Sequence, residues 1–371
     1  MSSLHAIIPA GGAGTRLWPI SRSGSPKFLK DLTGSGQSLL RQTVERLSPV
    51  AGSNIMVVTG GIHIPHVVRQ LPELDAEQFI AEPSARDSMA AIGLATAIIR
   101  QRHGNVIVGS FAADHIISQP QAFVRAVNQA MTAAERGYVV TIGISPDSPA
   151  TGFGYIRAAD EVDGVAGVFQ AAEFLEKPDA DTARRYVDSG QYLWNAGMFI
   201  AQADVLLTAL ESFQPSLAEG ISRIARAWDT TERSSVLEHE WPELTKIAID
   251  HAIAEPLASR GGVAVVPVQM GWTDVGDFAA VDDMIRESLD DNERHGLVVR
   301  SSDGGQAPPV IAVDSHDVTV FTYDRPIAVV GVNDVIVVDT GDVLLVTASE
   351  DAQHVKNVVE QLPEHNLTSL Q

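Results

Sequence analysis

Residues 6–29 read AIIPAGGAGTRLWPISRSGSPKFL. A short apolar run breaks into Gly11, Gly12 and Gly14, and Thr15, Arg16, Arg22 and Lys27 follow. Glycine reaches backbone conformations that other residues avoid, so GGAGTR can turn successive N–H groups toward one anion. A helix start just beyond would add its positive end. The chemistry this pattern offers is phosphate binding. Two common phosphate loops do not fit it. A Walker loop has Gly-Lys-Ser/Thr after its last glycine, whereas Thr15 and Arg16 follow Gly14. A dinucleotide fingerprint needs a third glycine where Leu17 stands, and Pro19 would soon interrupt the helix.

The charge background makes this cluster stand out. Lys and Arg total 26 against 47 Asp and Glu, a formal net charge of −21. So acidic a surface repels nucleic acid and anionic lipid, which leaves a small molecule as the expected partner and no nucleic acid or membrane. The chain has no cysteine, which excludes disulfides and thiolate zinc sites. No apolar run approaches the ~18 residues of a spanning helix. The N-terminus lacks a basic leader pattern, so the expected location is cytoplasmic.

Strands and helices must position these residues. Ala6–Ile8, Ile55–Thr59, Val106–Gly109 and Val139–Ile142 read as strands. Leu39–Leu47, Ser88–Arg100 and Ala122–Arg136 carry apolar residues at three and four spacing, as helices do. This alternation predicts an α/β fold, a Rossmann-like and mostly parallel sheet with helices on both faces. Ligands of such sheets sit beyond the carboxyl ends of the strands, where the loop at Ala10–Arg16 falls. Asp114 ends the apolar run VIVGSFAAD and so lies at the same edge.

From Gly152 to Gly197 the pattern loosens, and GFGYIR, AEFLEKP and YLWNAGMFIA read as strands and loops inserted near the sheet, with a helix at Asp181–Ser189. A helical region follows from Ala203 to Glu255, interrupted near Trp241–Pro242. Asp290–Pro309 is rich in Gly, Pro, Asp and Ser and marks the domain boundary. The expected organisation is a catalytic domain over 1–289 and a small C-terminal β domain over 290–371. Short Val/Ile-rich strands in the second fit either an ordinary small sheet or a few coils of a parallel β-helix, left-handed in the second case, closed by a helix at Ala352–Leu362. The Val-rich tail also predicts self-association as a homodimer, because exposed strand edges invite pairing.

The opening string GGAGTRLWPISR followed by PKFL resembles the sugar-1-phosphate nucleotidyltransferases, and within them the mannose-1-phosphate guanylyltransferase branch, which the Trp18 form of RLWPISR matches. The resemblance covers nearly the whole chain, since EPSARDSMAAI, ADHII, TGFGYI, FLEKP, WNAGMF, IDHAIAE, WTDVGDF and AVVGVNDVIVVDT follow in family order. It implies that GTP and mannose 1-phosphate give GDP-mannose and pyrophosphate. Within the family another nucleotide or hexose 1-phosphate is the alternative; outside it, a catalytically silent sugar-nucleotide sensor. Because the chain stops soon after its last helix, no mannose-6-phosphate isomerisation is expected.

The resemblance also implies the site. Gly11, Gly12, Gly14 and Thr15 would bind the nucleotide phosphates, Arg16 the departing β,γ-phosphates, and Lys27 the reacting phosphates. Arg16, Lys27 and Asp114 form the catalytic set. Asp114 and Asp274 would hold Mg2+ through oxygen ligands, with Asp277 a nearby decoy. Glu82, Pro83 and Arg86 would lie on the guanine side; Asp87 is left out, since the family more often has Asn there. Gly154, Glu176, Lys177 and Asn195 would bind the sugar phosphate, the carboxylate and amide suiting vicinal hydroxyls. His115 is expected to be structural or to support the metal site, and Trp18, Trp194 and Trp272 to pack in the core.

Overall fold

Strand β1, Leu4–Ala10, is buried along nearly its whole length, as expected of a central strand covered on both faces. In the computed structural model, which describes residues 3–12, 14–290 and 293–371, the chain gathers into two units. One takes the chain up to Gly11, Thr43–Ala113 and Ile117–Trp272; the other takes Gly12–Gln42, Asp114–Ile116 and Thr273–Gln371.

After β1 come α1 (Leu39–Ala51), β2 (Ile55–Gly60), α2 (Ile64–Gln70), β3 (Phe79–Glu82), α3 (Asp87–His103), β4 (Ile107–Ser110), β5 (Ile116–Ile117), α4 (Pro120–Ala134) and β6 (Val139–Ile144). Next are β7 (Tyr155–Glu161), β8 (Phe169–Leu175), α5 (Ala180–Ser189), β9 (Tyr192–Gln202), α6 (Ala203–Phe213), α7 (Pro215–Ala227), α8 (Arg233–Glu240), α9 (Glu255–Ala258), β10 (Val263–Pro267) and β11 (Trp272–Thr273).

The first unit is built on a nine-stranded sheet in the order β3-β2-β1-β4-β9-β6-β10-β8-β7. Its first four strands are parallel, as the strand–helix alternation predicts. The rest is mixed. Strand β9 runs antiparallel to both β4 and β6, β6 and β10 are parallel, and β8 is antiparallel to β10 and β7. The three segments expected as insertions beside the sheet are therefore strands of it. The β7–β8 pair is antiparallel because the two strands are joined without a helix, and a parallel return needs a crossover of a dozen residues or more.

Helix α3 is apolar on all sides and correspondingly buried, from Met89 to Ile99. It shares a core with Ile7, Val58, Val108, Leu210, Ile221 and Val265. The helical region after Ala203 is broken three times rather than once, at 214, over 228–232 and from 241. Pro215 begins α7, and Trp241–Glu243 forms a tight turn after α8; proline is tolerated at a helix start and disrupts an interior.

The second unit carries α10 (Phe278–Glu287), then β12 (Leu297–Ser301), β13 (Val310–Val313), β14 (Val318–Thr322), β15 (Ile327–Val330), β16 (Val335–Asp339), β17 (Leu344–Ala348) and α11 (Val355–Gln361). Strands β12, β14 and β16 stack in parallel, β13 and β15 form a second parallel ladder, and β17 closes the first antiparallel. Alternate strands falling into two parallel ladders is the pattern of stacked coils, which decides between the two readings of the tail. Strand β12 lies inside the stretch read as a boundary, because its Leu-Val-Val run pairs with Val318–Val320; Asp291 and Asn292 of that stretch lie outside the described residues. A core of Leu17, Trp18, Phe278, Phe321, Ile336 and Val338 holds this unit together. None of the helices among the described residues is long and apolar enough to cross a membrane.

Candidate active site

In the second unit the glycine loop leads into a 3-10 turn, Thr15–Leu17, with Gly14 as its N-cap at φ 56°. A Cβ at Gly14 would stand 2.6 Å from Ser21 Oγ and 3.3 Å from Lys27 Cβ and Cγ, so the position needs glycine for both conformation and space. Gly11, Gly12, Thr15 and Arg16 are exposed, which leaves the loop's polar groups open to a ligand.

Lys27 begins the next 3-10 turn, after Pro26. Its ammonium lies 3.0 Å from Asp114 Oδ2 and donates to the backbone carbonyls of Asp274 at 3.0 Å and Val275 at 3.3 Å. All three ammonium donors are thus used. Val275 is fully buried and has φ 48°, a strained conformation for a β-branched residue that costs on the order of 1–3 kcal/mol. The strain lies where two successive carbonyls accept from one lysine.

Burial raises the Asp274 carboxyl above its ordinary value; Lys27 opposes the shift, and the Asp114 charge adds to it. Asp114 and Asp274 therefore act within one electrostatic cluster. Two carboxylates that repel each other, with oxygen donors only, suit a hard divalent cation. Asp277 is committed elsewhere. It caps α10 by accepting from Ala280 N at 3.0 Å and also accepts from the Gln353 amide. Arg16 is exposed, donating to Gln353 Oε1 at 3.0 Å.

The residues expected at the sugar lie in the first unit. Asn195, on β9, is buried, its Oδ1 accepting from Thr141 Oγ1 at 2.7 Å and from Gly197 N at 3.1 Å. Its Nδ2 donates to Asp250 Oδ1 at 2.8 Å, and its backbone N to Gly154 O at 2.8 Å. Glu176 N donates to Glu255 Oε1 at 2.9 Å. Glu176 Oε1 pairs with Lys177 Nζ at 3.1 Å, although the Glu176 side chain is only 8% exposed and Lys177 is 62% exposed. Glu176 Oε2 is buried with no partner among the described residues. A Cβ at Gly154 would come within 2.5 Å of that oxygen, so glycine keeps the space beside it open. Gly154, Glu176, Lys177 and Asn195 thus converge, and Thr141, Asp250 and Glu255 join them. These three were not singled out from the sequence, although Asp250 and Glu255 both stand in IDHAIAE. Their five-residue spacing follows a π-helical turn, Asp250–Ala254, rather than the α-helical repeat.

Glu82 ends β3, in the first unit. Its Oε1 is buried without a partner among the described residues, and burial pushes its carboxyl up to about 7. Pro83 follows it. Arg86 donates to the carbonyls of Trp241 at 3.2 Å and Pro242 at 2.5 Å, so its guanidinium ties the loop after β3 to the turn after α8. The tryptophans pack as expected. Trp18 is buried and donates to Leu370 O at 2.7 Å, while Phe153 sits edge-on to Trp194 and Trp272 at 5.0 and 5.3 Å.

The nucleotidyl transferase family model matches residues 5–291, a range that spans the glycine loop and both clusters. This chain belongs to the nucleotidyl transferase family. A MannoseP isomerase/GMP-like beta-helix domain matches residues 309–362, in agreement with the parallel coils of the tail. Among curated proteins, a mannose-1-phosphate guanylyltransferase of Escherichia coli K12 is 35% identical over 97% of this chain and 74% of its own length. The xanthan biosynthesis protein XanB of Xanthomonas campestris is 35% identical over 98% of this chain and 74% of its length. Among solved structures, a mannose-1-phosphate geranyltransferase from Thermus thermophilus superposes with a TM-score of 0.84 at 29% identity, covering 97% of this chain and 99% of that one. A mannose-6-phosphate isomerase from Helicobacter pylori, at 23% identity and a TM-score of 0.60 over 73% of this nucleotidyl transferase, shows a likeness of fold alone.

Proposed function

We propose that this chain transfers GMP from GTP to mannose 1-phosphate, releasing pyrophosphate and GDP-mannose. The observation that carries the reading is the joined cluster of Lys27, Asp114 and Asp274 in the unit that also holds Gly12, Gly14, Thr15 and Arg16 of the glycine loop. Similarity over 97% of this chain to a mannose-1-phosphate guanylyltransferase supports the choice of substrates. A phosphate monoester has its second pKa near ~6, so mannose 1-phosphate is largely dianionic at neutral pH and attacks the α-phosphorus without a general base. What the protein must supply is positioning of two anions and neutralisation of the leaving group.

In this reading Gly11, Gly12, Gly14 and Thr15 receive the triphosphate, Arg16 holds the β,γ-phosphates, and Lys27 neutralises charge at the reacting phosphates. Asp114 and Asp274 would hold Mg2+, which supplies charge neutralisation at the phosphate oxygens when bound. Glu82, with its unpartnered buried oxygen, accepts from the guanine edge beside Pro83, and Arg86 fixes that loop. Gly154, Glu176, Lys177 and Asn195 take the sugar phosphate. The catalytic part is residues 1–289 and the small β domain 290–371, divisions the matched ranges support. The chain acts as a homodimer; the exposed Ile311, Val313 and Val330 of the tail support this.

The test is pyrophosphate release with four nucleoside triphosphates, each against mannose and glucose 1-phosphates. GTP with mannose 1-phosphate should be the best pair. Another best pair would replace the substrates, and no release from any pair would leave a sensor.

A further inference from the structure

Resting on that reading of the sugar site, we propose that Asp250 is a specificity-determining residue: paired with Glu176, it accepts hydrogen bonds from neighbouring hydroxyls of the hexose phosphate and fixes the Asn195 amide in one orientation.

The bonds around Asn195 set the orientation. Its Oδ1 accepts from Thr141 and from the Gly197 N–H, and its Nδ2 donates to Asp250. Flipping the amide would turn Nδ2 toward the Gly197 N–H and Oδ1 toward the Asp250 carboxylate, leaving buried groups mismatched. Asn195 thus keeps one N–H for a ligand and no free acceptor. A sugar hydroxyl that must donate therefore needs a carboxylate.

Two are present. Glu176 Oε2 is buried without a partner among the described residues, and Asp250 is close enough for the Glu176 charge to act on it. A buried carboxylate oxygen left unpaired is costly; one hydroxyl of a vicinal diol supplies the donor that Glu176 Oε2 lacks, and its neighbour donates to the Asp250 carboxylate, which Asn195 already holds in place. Burial first, and the Glu176 charge second, push the Asp250 carboxyl up to about 6, opposed by Lys177 and by the Asn195 hydrogen bond. The other titratable neighbours, His251 and Glu255, pair with each other at 2.8 Å. Asp250 opens the π-helical turn and Glu255 follows it, so that one accepts from Asn195 and the other from Glu176 N. Single π turns are rare and recur at functional sites.

The test is steady-state kinetics of the full chain, varying GTP and mannose 1-phosphate separately. Asp250→Asn, which keeps size and removes the charge, should raise KM for mannose 1-phosphate about 10- to 100-fold. KM for GTP should stay within about twofold and melting should not fall. In the wild type, kcat/KM for mannose 1-phosphate should drop as pH falls through about 6, and the drop should be shallower in Asp250→Asn, where only protonation of the substrate phosphate remains. With a deoxy analogue lacking the recognised hydroxyl, the two proteins should converge. An unchanged sugar KM, or a KM for GTP that rises equally, would overturn the proposal. If the wild type releases no pyrophosphate, the guanylyl-transfer reading falls separately. Asp250 is then judged by calorimetric binding of mannose 1-phosphate to both proteins, where equal affinities would overturn its role.

Discussion

Lys27 Nζ lies 3.0 Å from Asp114 Oδ2 and donates to the backbone carbonyl of Asp274 at the same distance. The lysine is therefore tied to both acidic residues before any phosphate arrives, and a ligand must draw it partly away from them. Lys27→Ala should lower turnover on the order of 10²–10³-fold, the usual effect of losing one preorganised electrostatic contact. The pair is only partly buried, so melting should change far less than activity. Asp114→Asn should do similar damage, but added magnesium should restore part of its rate and none of the rate of Lys27→Ala. Near-full turnover of Lys27→Ala at saturating GTP and mannose 1-phosphate would remove the lysine from the chemistry.

Gly14 tests the same turn from its backbone. At φ 56° an L-residue carries about 1–2 kcal/mol of left-handed strain, and the added Cβ would press on Ser21 Oγ and on the stem of Lys27. Gly14→Ala should therefore lose both stability and kcat. Gly14→Ala with Ser21→Ala removes the 2.6 Å contact and leaves the strain, so it should recover part of the melting temperature. A double variant that melts no higher than Gly14→Ala would show that the contact with Ser21 is not the source of the loss.

Glu82 gives a pH signature. Its carboxyl is raised by burial from 4.5 to about 7, so the folded state holds a proton that the unfolded state releases across that window. Its contribution to stability is fully present below about 4.5 and is lost as pH rises through 7. Glu82→Gln cannot titrate, so it should melt several degrees above the wild type at pH 8 and close to it at pH 4. If Glu82 also receives the guanine edge, the variant's KM for GTP should rise. Equal melting of the two proteins at pH 8 would mean that the side chain finds a partner in solution.

Much of this site was legible in the sequence because short motifs carry their own geometry. GGAGTR with PKFL places Gly14 and Lys27 in consecutive tight turns, and WTDVGD separates Asp274 from the capping Asp277. The parallel strands β1–β4 followed from strand–helix alternation. What escaped was set by long-range pairing. Nothing local in YLWNAGMFIA says that β9 will enter between β4 and β6. Thr141 meets Asn195 only through that pairing. Asp250 was hidden by a π-helical spacing that a 3.6-residue repeat does not detect.

The tail makes the last prediction. Along β13 and β15, alternate residues should face water and be polar, yet Ile311, Val313 and Val330 are 61%, 46% and 64% exposed. Ile311 stands opposite Ala328, and Val313 opposite Val330, so the outward face of this ladder is apolar. Contiguous exposed apolar surface of this kind marks a contact site, and in the proposed homodimer a second copy covers it. Ile311→Glu with Val330→Glu places two charges on each face, and bringing four carboxylates together would oppose association. By light scattering the wild type should be a dimer and the variant a monomer. Exposed substitutions usually change stability by no more than about 0.5 kcal/mol, so a monomeric variant should still fold and keep its turnover of GTP and mannose 1-phosphate. A wild type that scatters as a monomer, or a variant that stays dimeric, would take this face out of the assembly.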